Sequence, residues 1–393
     1  MSNTPLSVEC LTRLPEMHAL RGEWQNLLDA ARQPTVFQTW EWVTSWYEHF
    51  GEGKALRLLI ARDEEGRLVG VAPGSRSSVG LGSVRLLHLL GRGNDFTEYV
   101  DAILHPAHAD AVARAFFEAW DREGGAWDLL VLPSVPADGD FLPRVRALAA
   151  TRGYRAHVEE HVRVTRPLPD SWEAFYRSLR KSMKDNVNNY LNRLRREGHE
   201  ERLRVVEDPA DLEAALETLF DLHGRRAQAD LGRRHDDYFA RPGYRAFLKT
   251  VAHRLMARGF LWPAMLDVDG QTVAAQLCLV HAGRFYTYYS GYDPDWARYG
   301  VMTVLTRRCI ERAIAHGCRE LDLLLGMDQE KLRWGGEPRP VVNLVLASRR
   351  WRSRMVFHLH GARRNGHPAW WRRLAAGWSS AALPSRGAST RAA

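Results

Sequence analysis

Asp322 stands inside an otherwise apolar run, Leu321-Asp322-Leu323-Leu324-Leu325. A carboxylate there is expected to be buried, and burial without a partner raises its pKa until it can serve as a base. The plainer alternative is a carboxylate bonded to a neighbouring helix or to a basic residue such as Lys331. Upstream, Tyr286, Tyr288, Tyr289 and Tyr292 share one strand and the loop after it. A tyrosine hydroxyl can protonate a leaving group; Tyr292, on the loop, is the candidate, and most of the other rings are expected to pack. Between these groups, Arg298-Tyr299-Gly300-Val301-Met302 opens a helix. Free amides and the dipole at a helix start favour phosphate. Gly300 lets a ligand approach the backbone, and Arg298 adds charge beside it.

Three more groups can hold charged ligands. Lys331 and Arg333, two apart, suit a phosphate or carboxylate, or form a salt-bridged surface turn. His223 and Arg226, three apart on a helix, share one face, which suits either an acceptor site or solvent. The helix near Lys181–Arg196 carries Arg180, Lys181, Lys184, Arg193, Arg195 and Arg196. Such a run is usually a solvated face, yet it would also draw a phosphate-bearing donor or acceptor, including tRNA or a nucleotide sugar.

Positioning these residues requires an ordered series of elements. A strand over 284–291, a loop over 292–298, a helix from about 300 to 317 and a strand over 320–325 are expected. Before them come helices at 171–197, 209–230 and 244–258, then a hairpin over 261–268 and 272–280 turning at Asp269-Gly270, a strong hairpin signal. The first half shows the same order. It has a helix over 36–50 with Thr39 as a cap and Trp42, Val43, Trp46, Tyr47 and Phe50 at helical spacing, a stripe expected in the core. A hairpin over 56–61 and 68–72 follows, then strands at 84–90 and 99–104 around the loop 91–95, a helix over 106–122 and a strand over 127–132. Trp127-Asp128-Leu129-Leu130 answers Leu321-Asp322-Leu323-Leu324, which points to a duplicated α/β unit with mixed sheets. The expected division is 1–165, 166–347 and a tail over 348–393. Only the second unit has glycine where its helix begins; the first uses His105-Pro106-Ala107, where proline removes a donor.

A chain of 393 residues exceeds one ordinary domain. No apolar run approaches the roughly 18–20 residues of a membrane helix and no signal pattern opens the chain, so a cytoplasmic protein is expected. Cys10, Cys278, Cys309 and Cys318 show neither C-x-x-C nor zinc spacing, so they are expected to be reduced and no metal is expected. No acidic residue follows Glu337, whereas eleven arginines do, so the basic pI belongs to the tail. From Arg349 onward, arginine alternates with Trp351, Phe357, Trp370, Trp371 and Trp378. That pattern suits an anionic membrane surface, at the inner face for a cytoplasmic protein, or nucleic acid, or a packed terminal helix pair.

The order hairpin, strand, "GYDPDW", helix, "ELDLLLGMDQEKLRWG" resembles the acyltransferase domain of the GNAT superfamily. It is most similar to the CelD-like branch associated with cellulose and exopolysaccharide biosynthesis, related to Fem-type aminoacyl transferases. The resemblance runs over 36–346. It implies a duplicated GNAT fold that moves an acyl group, acetyl above all, from acyl-CoA to an amine on a small or sugar-linked acceptor such as an exopolysaccharide precursor. It places the donor pyrophosphate at Arg298, Tyr299, Gly300, Val301 and Met302, with a single glycine where the family usually has two. Asp322 as base and Tyr292 as proton donor to the leaving thiolate would be catalytic. Lys331 and Arg333 match a "YK-x-RW" segment, and His223 and Arg226 an "H-x-x-R" segment, as acceptor contacts. Two rivals remain: an aminoacyl-tRNA-dependent Fem-type transferase, and a non-catalytic partner of a polysaccharide synthase.

Overall fold

The computed structural model describes residues 6–79, 84–91, 96–229 and 236–362. The expected loop tip at 92–95 and the tail beyond 362 lie outside these residues. Its strands are β1 (Ser7–Leu11), β2 (Ala55–Arg62), β3 (Leu68–Val79), β4 (Val84–Leu89), β5 (Ile103–Leu104), β6 (Leu129–Pro136) and β7 (Arg155–Pro167), followed by β8 (Glu201–Val205), β9 (Leu261–Val268), β10 (Gln271–His281), β11 (Arg284–Tyr292), β12 (Glu320–Leu325) and β13 (Glu337–Ala347). The helices are α1 (Leu14–Ala19), α2 (Arg21–Ala30), α3 (Trp40–Phe50), α4 (Ala109–Arg122), α5 (Phe141–Thr151) and α6 (Trp172–Ser178), then α7 (Lys181–Arg196), α8 (Leu212–Gln228), α9 (Tyr244–Met256), α10 (Val301–Ala315), α11 (Gln329–Arg333) and α12 (Trp351–Ala362).

All described strands join one mixed sheet in the order β1-β2-β3-β4-β6-β13-β7-β12-β11-β10-β9-β8, with β5 paired to β3. The order is symmetric about the β13–β7 seam. On each side an antiparallel four-strand run ends in a parallel pair, β4 with β6 and β11 with β12. The duplicated mixed α/β unit read from the sequence is therefore present, but its last strands are exchanged: β13 from the C-terminal half lies beside β6, and β7 from the N-terminal half lies beside β12. β7 and β13 pair in unbroken register from Arg155↔Ala347 to Thr165↔Glu337. The division expected after residue 165 thus falls inside a strand that both halves share.

Local chemistry explains most elements. Thr39 Oγ1 accepts from the Trp42 amide at 3.3 Å and starts α3, whose Trp42 and Trp46 are buried in the core as the aromatic stripe predicts. The helix expected over 171–197 is two helices, because Leu179 and Arg180 are extended. Leu179 thereby turns into the core, and the Arg166 guanidinium stacks over Phe175 at 4.3 Å. The strand expected over 99–104 shrinks to β5, since Tyr99 is drawn across the seam to Asp322. The four cysteines are free.

Candidate active site at the carboxyl ends of two diverging strands

β11 and β12 pair only through Arg284–Tyr286 against Glu320–Asp322. β12 then bulges towards β7, its register jumping from Asp322↔Thr165 to Leu325↔Arg163, and Leu324 takes φ 68°. The two strands part, and a crevice beyond the carboxyl ends of parallel strands is where α/β sheets hold ligands. The chain leaves β11 through the short helical turn Pro294–Tyr299 and enters α10 at Gly300.

Gly300 has φ 58°, and a Cβ there would lie 2.4 Å from the Tyr190 ring. The glycine therefore lets Tyr190 of α7 lie against the start of α10. Thr303 and Val304 amides donate to Gly300 O, while those of Val301 and Met302 precede any intrahelical carbonyl. Arg298 Nη2 donates to Glu197 at 2.7 Å, so its charge is paired. Arg193 donates to Arg298 O, and Tyr299 donates to Glu197 at 2.5 Å from a buried position. On the outer face of α6 and α7, Arg177, Arg180, Lys181, Arg195 and Arg196 are exposed and make no ion pair among the described residues.

Asp322 is 0 % exposed. Its Oδ1 accepts from Tyr99 Oη and from the Leu324 amide, each at 2.8 Å. Its Oδ2 faces Arg163 Nη1 at 3.7 Å, too far for a hydrogen bond, and Arg163 is itself buried. Burial pushes the carboxyl above its ordinary range, opposed first by the Arg163 charge. The segment carrying Tyr99 fills the wedge between the strands: Tyr288 Oη donates to Phe96 O at 2.6 Å, and Glu98 Oε2 accepts from the Leu325 amide at 3.1 Å. Asp322 is thus sealed behind residues of the N-terminal half, and the basic residue that faces it is Arg163 rather than Lys331.

His223, Arg226 and Tyr292 do come together. α8 crosses β11 at Gly291, where a Cβ would lie 2.3 Å from the His223 amide nitrogen. The buried His223 ring places Nδ1 2.9 Å from Ser290 O and Nε2 3.3 Å from Asp236 O, and burial lowers its pKa. His223 therefore fixes α8 on the strand, with the Arg226 guanidinium 5.3 Å over the Tyr292 ring. A methyl group at the crossing would force helix and strand apart. Gly291→Ala is expected to lose about 1–3 kcal/mol in urea denaturation, the range for overpacking; an unchanged midpoint would mean that the crossing has slack. Lys331 donates to Leu325 O at the end of β12, whereas Arg333 is exposed on α11.

Tyr99, Arg163 and Tyr190 complete the site and carry no local signal in the sequence. Tyr99 is 223 residues from the carboxylate it touches. The charged pattern of β7 conceals a central strand, because its first residues are partly exposed and only Arg163–Arg166 is buried throughout.

The mixed sheet flanked by helices, with its diverging strand pair, is GNAT-like in fold. Residues 180–332, which include β11, β12 and α10, match the family model described as the acetyltransferase (GNAT) domain. Over the whole chain the fold is similar to that of FemX, at TM-score 0.60 and 11% identity, covering 86% of this chain and 96% of that one. It is also similar to L-PGS from Bacillus licheniformis, at TM-score 0.51 and 14% identity over 87% and 95% of the two chains. The C-terminal domain of a putative lysylphosphatidylglycerol synthetase from Agrobacterium fabrum overlays at TM-score 0.50 and 13% identity, over 88% and 95%. No curated protein matches by sequence.

Proposed function

We propose that this protein transfers an acyl group from acyl-CoA to an amine, with β11, β12 and the start of α10 as its catalytic frame. The observation that carries the reading is the position of this diverging pair, with its helix start beside the basic α7, inside the segment that matches the GNAT domain. Amides of Val301 and Met302, with the dipole of α10, would hold the donor's pyrophosphate, and Arg298, Tyr299 and Gly300 would shape that end. Acyl transfer needs a proton for the leaving thiolate, and Tyr292 is the donor in this reading. The Arg226 guanidinium over its ring holds it at the mouth of the loop. Asp322 enters as a positioning residue, holding Tyr99 and the Leu324 amide at the wedge. Lys331 and Arg333, beyond the end of β12, are the remaining acceptor contacts. The acceptor is an amine on a sugar or an exopolysaccharide precursor, by resemblance to the CelD-like branch, and the site of action is the cytoplasm.

Tyr292→Phe is expected to lower kcat about 100-fold, within the range for a general acid, with donor affinity kept. Equal turnover in steady-state assays would remove Tyr292 from this role. The donor itself is tested by calorimetry with acetyl-CoA and with aminoacyl-tRNA. Heat of binding with acetyl-CoA supports the proposal. Binding to aminoacyl-tRNA alone would overturn it in favour of a Fem-type reaction, a reading favoured by the unpaired cations on the outer face of α6 and α7.

A further inference from the structure

α12 follows β13 directly and is pinned to the N-terminal half. Arg352 Nε donates to Asp128 at 2.9 Å, Ser353 Oγ donates to Asp128 O, and Val356 packs with Val84, Leu86 and Leu129. With that face committed, the opposite face presents Trp351, 75% exposed, and Met355, 42% exposed, one helical turn apart. Large apolar side chains are this exposed at only one other described position, Met327. Arg349, Arg350 and Arg354 flank the pair and make no ion pair among the described residues. The chain continues past α12 for residues 363–393, with six more arginines, three tryptophans and no carboxylate side chain.

We propose that the Trp351–Met355 face of α12 docks on an anionic lipid surface, with Arg349, Arg350 and Arg354 beside it binding headgroups. An apolar pair rimmed by cations matches the boundary between acyl chains and anionic headgroups, where tryptophan rests and arginine finds phosphate. Nucleic acid would use the arginines and could stack on Trp351, but it gives Met355 nothing to bury against. The geometry also orients the protein. β12 and β13 both run antiparallel to β7, and β11 runs parallel to β12. The carboxyl ends of β11, β12 and β13 therefore point the same way along the sheet, and because β12 ends opposite Arg163 and β13 opposite Arg155, α12 lies beyond the candidate site in the direction in which it opens. If the proposed transferase reading holds, docking brings that end of the sheet towards the bilayer; the docking itself does not depend on it.

The test is sedimentation of the full-length protein with vesicles of phosphatidylcholine, alone or containing 30 mol % phosphatidylglycerol, on the order of the anionic content of a membrane. Binding to the anionic vesicles only is expected, weakened by high salt. A Trp351→Ala/Met355→Ala variant should bind at least about ten-fold more weakly with unchanged thermal unfolding, since both side chains point to solvent. Arg350→Gln/Arg354→Gln should reduce the salt dependence. Equal binding by the apolar double variant would overturn the proposal and leave only a cationic tail acting at a distance. Absence of vesicle binding by the native protein, with or without binding to duplex DNA or RNA, would also overturn it. Donor calorimetry reads the transferase assignment separately, so the two can fail independently.

Discussion

Replacing Asp322 by alanine is expected to remove about 3–5 kcal/mol of folding stability, the cost of stranding one partner of a buried charged pair. The carboxylate is sealed, and Arg163, 3 % exposed, would be left facing apolar space together with the Tyr99 hydroxyl and the Leu324 amide. Asp322→Asn keeps an oxygen for both hydrogen bonds and should cost far less. The two variants also differ in pH dependence. Burial holds the folded carboxyl above its ordinary pKa, so the folded state keeps a proton that the unfolded chain releases. Stability from this group is fully present below the unfolded pKa of about 3.9 and falls as pH rises through the raised folded value. The difference between native and Asp322→Asn stability should follow that slope in urea titrations. If Asp322 only positions its neighbours, Asp322→Asn keeps turnover within a few-fold. Loss of a general base would instead cost about 100-fold or more. Stability of Asp322→Ala within about 1 kcal/mol of native would show that the carboxylate is not the keystone of the seam.

Gly300→Val carries the second large effect. A β-branched residue at φ 58° is strained by roughly 1–3 kcal/mol, and its Cβ would overlap the Tyr190 ring. Relief requires α7 to move off the start of α10, which displaces Arg193 from Arg298 O and the Glu197 contacts with Arg298 and Tyr299. Donor affinity should fall more than about ten-fold, because the amides that cradle phosphate move with that turn. Combining the change with Tyr190→Ala separates the causes: overlap is relieved, while the backbone strain stays. If Gly300→Val alone binds acetyl-CoA as tightly as the native protein in calorimetry, the start of α10 is not the donor site.

Several features were legible because they are local. The Asp269-Gly270 turn, the Thr39 cap, the aromatic face of α3 and the order of β9 to β12 around α10 each depend on residues within a few positions of one another. His223 and Arg226 could be placed on one helix face for the same reason. Their meeting with Tyr292 depended on a glycine in another element, Gly291. β7 was invisible: its charged stretch alternates poorly, because it is buried throughout only over Arg163–Arg166, where β12 joins it.

The amino-acid sequence alone therefore determined a duplicated α/β unit and a helix opening on glycine in the second copy only, since periodicity, turns and caps are settled by neighbours along the chain. The tertiary structure decided that β7 and β13 change places, that Asp322 is sealed behind Tyr99 and Arg163, and that Gly300 makes room for Tyr190. These outcomes come from strand pairing and burial between residues far apart in sequence, where each contact needs a partner that no local pattern can name.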